Sequence, residues 1–240
     1  MSSAIAKDLA PTGKLRASIN LGNPILAQGT FDAPSGPTVD ISREVAKRLG
    51  LEVEFLTFDA ARKSFEAMNE GRADICYLAI EPVRAAEVAF TKPYVLIEGV
   101  FVVPVDSPIK TVEDVDQPGV RIGVNEGSAY HLYLSRTLKH ATCVFGPTVS
   151  DGQDVMRELN LEAGAGVRGP VAAYVEQNPD VRLIPERFMV IEQAVGVKKG
   201  KAPETVKWLA DLVEELKGTT FISDALARGG QDPTLAAPPS

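Results

Sequence analysis

Histidine and cysteine are scarce in this sequence, and the shortage bears on metal and disulfide chemistry. The two histidines, His131 and His140, have no metal-ligand spacing with the two cysteines, Cys76 and Cys143, so neither a metal nor a cofactor is expected. Both cysteines lie in apolar, strand-like settings, which predicts reduced buried thiols and no disulfide. Basic residues are in deficit, 25 against 32 acidic, and the net charge of −7 leaves no footprint for nucleic acid or an anionic membrane. An anion would have to be caught locally. The longest apolar stretches, such as Tyr94 to Val105, are interrupted by Glu98, so no membrane span is expected. The opening Met-Ser-Ser-Ala-Ile-Ala-Lys-Asp lacks the apolar core of a secretory leader, which leaves a mature chain with a replaced leader or a cytoplasmic protein. No internal repeat, phosphate loop, nucleophile elbow or dinucleotide fingerprint occurs.

What is present is ordinary globular composition, 45% hydrophobic and 24% charged, over a length that suits one large domain or two lobes. Leu15 to Asn20 reads as a strand running into the turn-rich Leu21-Gly-Asn-Pro24. Val39, Ile41, Val45 and Leu49 repeat at helical spacing, with Thr38 as N-cap and Gly50 as stop. Leu51 to Phe58 alternates as a strand, and Phe65 and Met68 mark a helix ending at Gly71. Strands and helices alternate, which predicts an α/β layer with a largely parallel sheet and ligands beyond the carboxyl ends of its strands.

Residues 74–94 carry the most chemistry. Ile75 to Ile80 reads as a buried strand, Pro82 opens a short helix, and Arg84 projects from its first turn. A guanidinium fork there can grip a carboxylate bidentately. The alternative is a surface arginine paired with Glu81 or Glu87 at helical spacing.

Asp74, Pro82, Arg84, Phe90, Pro93 and Tyr94 together resemble a segment of the bacterial family-3 periplasmic solute-binding proteins, the receptors of polar amino-acid ABC importers. The resemblance implies that Arg84 holds the solute's carboxylate. Small hydroxyl residues that normally precede this arginine appear here as Tyr77, Ala79 and Glu81. It implies further that the loop after the first strand lines the side-chain pocket, with Asn20 and Asn23 as candidates; turn formation is the competing role for Asn23.

From Ile97 to Val103 the chain is strand-like again, and a short helix is expected near Val112 to Val115. A new α/β unit begins at Val120, where a strand meets Asn125-Glu-Gly-Ser128 and then a helix carrying Tyr130, Leu132 and Leu134. Its Gly-Val-x-x-Gly-Ser pattern is similar to the family's second carboxylate-binding element, implying ligand contacts from Asn125, Gly127, Ser128 and Ala129; a plain turn with a serine N-cap is the alternative. Strands at 141–145, 164–167 and 181–184 and helices at 152–159 and 171–175 are expected to follow. Alignment on Ala172 and Tyr174 places Arg168 where α-amino-acid receptors carry an ammonium-binding aspartate. A solute without a free α-ammonium, or with a second acid group, is the consequence; alternatively Arg168 turns outward to Glu162 or Glu186. Met189 to Val197 resembles the return crossing, Pro203 opens a helix closed by Gly218, and the tail from Gly229 is expected to be poorly ordered.

The resemblance thus implies a two-lobed α/β type 2 periplasmic-binding-protein fold with two crossing hinge strands. Lobe 1 is expected over 1–101 and 195–240, and lobe 2 over 102–194. Its implied function is that of a monomeric periplasmic receptor that closes on a small carboxylate solute, an amino acid or organic acid, and delivers it to an ABC permease. The competing readings are an enzyme similar to cyclohexadienyl dehydratase, with Glu81 or Glu98 moving a proton, and a ligand-sensing module.

Overall fold

A computed structural model describes residues 2–148 and 151–240. Two compact units divide the chain, Met1–Leu96 with Glu192–Ser240, and Ile97–Ile191. Two strands carry the chain across these boundaries: β6 (Val88–Pro104) and β11 (Met189–Lys198).

The first unit opens with helix α1 (Ser2–Leu9), for which sequence patterning gave no expectation; Ile5 and Leu9 bury it against α8 (Pro203–Lys217). Its sheet runs β4 (Glu52–Phe58), β1 (Lys14–Asn20), β5 (Ile75–Ala79), β11. The first three are parallel and β11 is antiparallel to β5. A two-residue pair, β2 (Gln28–Gly29) and β3 (Pro34–Ser35), follows β1. Helix α2 (Pro37–Leu49) has its N-cap at Gly36, two residues before the expected Thr38, whose hydroxyl instead donates to the Leu26 carbonyl. Gly50 ends it in the left-handed region, φ 68°, where a side chain would be strained. Helix α3 (Ala61–Asn69) packs Met68 with Cys76 and Leu78 of β5 and with Leu56, Phe65 and Phe90.

Asp74 explains its own place ahead of β5. Its carboxylate takes the Arg16 guanidinium through Nε at 3.1 Å and Nη2 at 2.7 Å and also accepts the Arg16 N–H at 2.8 Å. This bidentate pair locks the register of β1 on β5, a role in the frame and not in a ligand site.

The second unit orders its strands β6, β9 (Ala163–Val167), β7 (Arg121–Gly123), β8 (Thr142–Val144), and β10 (Val181–Leu183) pairs with the far end of β6. Strands β7, β8 and β9 are mutually parallel, and β6 is antiparallel to β9. Helices α5 (Ala129–Thr137), α6 (Gly152–Glu158) and α7 (Arg168–Gln177) pack on them, and Val100, Val102, Val155, Met156, Leu161, Val171 and Val181 form the core. Cys76 is buried, Cys143 is half-buried, and both thiols are free.

Four expectations are corrected. Residues 112–115 form turns and no helix; Asp114 accepts the N–H groups of Lys110 and Thr111, which satisfies the backbone locally without a helical turn. α7 begins at Arg168, ahead of the expected 171, and the β-rich crossing β6 begins at Val88. The tail is tied down: α9 (Phe221–Arg228) and a 3-10 turn at Pro233–Leu235 bring Ala237, which is buried, to donate its N–H to the Tyr94 carbonyl at 2.9 Å.

Candidate functional site

In the first unit the parallel pair β1 and β5 ends with Asn20 and Ala79, and the candidate residues gather beyond those carboxyl ends. Helix α4 (Pro82–Ala85) is a single turn with Pro82 at its start. It folds Arg84 back toward the strand, where Nη1 donates to the Ala79 carbonyl at 3.2 Å. Arg84 is only 2% exposed, and burial lowers its pKa to about 10, opposed by the nearby charge of Glu81, itself buried. Arg84 therefore remains a cation at neutral pH. Glu81 is thus its charge partner, as the alternative reading from helical spacing has it, yet the pair lies inside the unit and not on a solvated face. A buried cation has lost its water shell already, so a carboxylate reaching it gains strong charge-assisted hydrogen bonds. The same cation pulls against the burial that pushes the neighbouring Cys76 thiol up to about 12.

The other first-unit candidates have local partners. Asn20 Oδ1 accepts the Gly22 N–H at 2.9 Å, and Asn23 Oδ1 accepts the Ile25 N–H at 3.2 Å. Both oxygens therefore shape the turn after β1, leaving the amide nitrogens as donors. The Tyr77 hydroxyl lies 2.8 Å from Ser42 Oγ in α2, and Ser42 donates onward to the Thr38 carbonyl at 2.7 Å, so Tyr77 is the donor. Its ring is a buried wall of the unit. Ala79 contributes through its carbonyl, which positions Arg84.

In the second unit the loop after β7 holds Asn125, Gly127 and Ser128 and leads into α5 at Ala129. Gly127 adopts φ 72°, a turn conformation that glycine alone takes without strain. Ser128 is the N-cap of α5, its Oγ accepting the His131 N–H at 3.1 Å, and Asn125 closes the turn by accepting the Ser128 N–H at 3.1 Å. The Gly127 N–H donates to His131 Nδ1 at 2.9 Å. That bond fixes the neutral Nε2–H tautomer of His131, whose pKa is lowered by partial burial against the weaker pull of Glu126. Sequence reasoning passed over His131, because a histidine one turn inside a helix carries no motif; its i+4 spacing from Gly127 is the signal that could have found it.

Arg168 lies after β9, at the first position of α7. Among the described residues neither expected partner, Glu162 nor Glu186, bonds to it, and Glu162 binds Arg121, Oε1 to Nη2 at 2.8 Å. Arg168 Nε instead meets Glu98 Oε2, and its Nη2 donates to the Pro185 carbonyl at 2.8 Å. Arg187 Nη1 approaches the other oxygen, Oε1 of Glu98, at 2.8 Å. The β6–β9 register pairs Gly99 with Val167 and so brings Glu98 beside Arg168. The two arginines, Arg187 first, hold the Glu98 carboxyl below its ordinary range. Among the described residues no group of His, Cys, Asp and Glu is placed to hold a metal ion, and no helix is long and apolar enough to cross a membrane.

Two α/β units linked by two strands, with candidate anion donors at the carboxyl ends of parallel strands in each, define the type 2 periplasmic-binding-protein class. The model of the bacterial extracellular solute-binding proteins, family 3, matches residues 23–226, and the chain belongs to that family. Among curated proteins none matches. A mutant of the arginine-binding protein of T. maritima is similar at TM-score 0.75 and 20% identity, covering 94% of this chain and 99% of that one. The cysteine-binding protein of Campylobacter jejuni gives TM-score 0.75 and 22% identity, covering 95% and 92%. An ancestral amino-acid-binding protein, a precursor of cyclohexadienyl dehydratase, gives 0.75 and 21%, covering 94% and 98%. At these identities the likeness is one of fold.

Proposed function

We propose that the chain is the extracytoplasmic receptor of an ABC importer, acting as a periplasmic monomer that captures a small carboxylate solute and presents it to a membrane permease. The observation that supports this most is Arg84: a cation buried at a strand's carboxyl end, in the segment shared with family-3 receptors. The Asn125 to Ser128 loop of the second unit is proposed to hold another part of the same solute, which would couple binding to closure of the two lobes.

A role in catalysis has less support. Glu98, nominated from sequence as a proton-transfer group, is held ionised by two arginines and is poorly suited to donate a proton near neutral pH.

The test is a thermal-shift screen of the full chain against amino acids, 2-oxo acids and dicarboxylates, followed by small-angle scattering with the strongest hit. A binder at 100 times its Kd should stabilise the fold by about 2.7 kcal/mol and lower the radius of gyration. Stabilisation by none of these acids would sink the proposal, and unchanged scattering with a saturating solute would remove closure from it.

A further inference from the structure

Arg84 is already compensated from within its own unit. Glu81 stands at the N-cap of the single turn α4, and its side chain does not cap that turn; its carbonyl accepts the Ala85 N–H at 2.8 Å. Both residues are buried, Glu81 at 3% exposure and Arg84 at 2%, and the Glu81 charge favours the cation of Arg84. One carboxylate and one guanidinium make a formally neutral pair, shut away from the counter-ions of the solvent.

The flanking elements show which other groups could change charge there. On β5 and β6 burial keeps the Cys76 thiol and the Tyr77 and Tyr94 hydroxyls protonated. Asp74 lies at the opposite end of β5, where it holds Arg16. Glu87, after the turn, and Glu192 of β11, whose carbonyl accepts the Ile80 N–H, are both exposed, as is Lys198 at the far end of β11. Helix α3 packs the apolar Phe65 and Met68 with Cys76.

A solute carboxylate reaching Arg84 places a second negative charge beside the first, and one guanidinium balances only one of them. Two carboxylates that share a buried site do not both stay ionised; the pair retains one proton between them. Because the cysteine and the tyrosines are protonated already, that proton goes to a carboxyl oxygen. The O–H then donates to the remaining carboxylate, a short charge-assisted hydrogen bond.

We propose that Glu81 couples solute binding to proton uptake: as a carboxylate arrives at Arg84, Glu81 takes one proton from solvent and shares it with the solute carboxylate. The complex holds more protons than the free chain, so the solute is held more tightly as pH falls. This rests on the reading of Arg84 as the carboxylate anchor and adds to it the regulation of that same site, with Glu81 as a positioning residue.

The test is calorimetric titration of the full chain with the standard amino acids, 2-oxopentanoate and butyrate, each of which carries a carboxylate that stays ionised between pH 6 and 8. Every probe that binds is titrated at pH 7 in phosphate and in Tris, whose ionisation heats differ, so that the difference in heat counts the protons taken up. Wild type should take up about one proton per solute, and its Kd should rise about tenfold per pH unit. Glu81→Gln keeps the shape and removes the ionisable group. It should take up none, show a flat pH profile, and bind about tenfold or more tighter than wild type at pH 8. Circular dichroism establishes that the variant is folded; should it not fold, the wild-type proton count and pH slope decide alone. Binding without proton uptake, an affinity indifferent to pH, or a folded Glu81→Gln that keeps the proton count or binds no tighter at pH 8 would overturn the coupling and leave the Arg84 anchor standing. Absence of binding by every probe would overturn both.

Discussion

Protonation of His131 would cost the second-unit loop its latch. Nδ1 accepts the Gly127 N–H, and an imidazolium has no lone pair there to accept it. The folded-state pKa of His131 lies below the ordinary 6.5, so the unfolded chain binds this proton first as pH falls. The stability from the latch is thus fully present above the ordinary value and is lost as pH falls below it, levelling off beneath the folded value. With only two histidines in the chain, a proton NMR titration can follow the ring directly. The Gly127 amide resonance should move with the His131 ring, and His131→Gln should abolish the movement; an amide indifferent to pH between 8 and 5 would show that the latch does not form. Glu126 is the charged neighbour that opposes the shift. Strand β8 under α5 adds only Cys143 as a titratable group, and β9 adds none. The place of Arg84 just past a strand end was legible, because Pro82 and the apolar strand before it fix both the turn and the strand end. The pairing of Glu98 with Arg187 was not. Those residues lie 89 positions apart, and only the β6–β9 register and the chain's return toward β11 bring them together.

Glycines decide how closely α6 sits on its sheet. A Cβ on Gly152 would lie 2.1 Å from the Ala165 carbonyl oxygen and 2.5 Å from that of Gly123, and a Cβ on Gly164 would lie 2.6 Å from the Gly152 oxygen. Each obstacle is backbone, which cannot swing aside as a side chain can. Gly152→Ala should therefore lift α6 from β7 and β9 and destabilise the chain by about 2 kcal/mol or more, the range of overpacking in a dense core. Urea unfolding measures this, and an unaltered midpoint would mean that the contact is looser than described. Most elements were legible from periodicity, since α2, α3, α5, α6 and α8 each place buried apolar residues on one face. The missed ones have identifiable causes. α1 precedes the first strand with a short, mixed pattern. The turns at 112–115 carry valines at helical spacing, but Asp114 caps the backbone and stops the helix. The tail is rich in proline, yet its backbone pairs with Tyr94 at an isolated bridge between Val95 and Ala236.

For the molecule as a whole, two runs of alternating strands and helices separated by strand-like crossings made an α/β chain in two parts legible. The fold places the divisions at Leu96/Ile97 and Ile191/Glu192. What the sequence left open is the balance of charge at Arg168, because a carboxylate that compensates it arrives from a crossing strand and not from its own neighbourhood. Membership of the family covers residues 23–226, and the proposed role places a carboxylate solute on Arg84. Calorimetric titration of the strongest solute from the screen, into wild type and Arg84→Lys, tests that role. One solute per chain is expected, with a loss of about 2 kcal/mol or more in the variant, since lysine keeps the charge but not the planar fork. Equal affinity in wild type and a folded Arg84→Lys would contradict it.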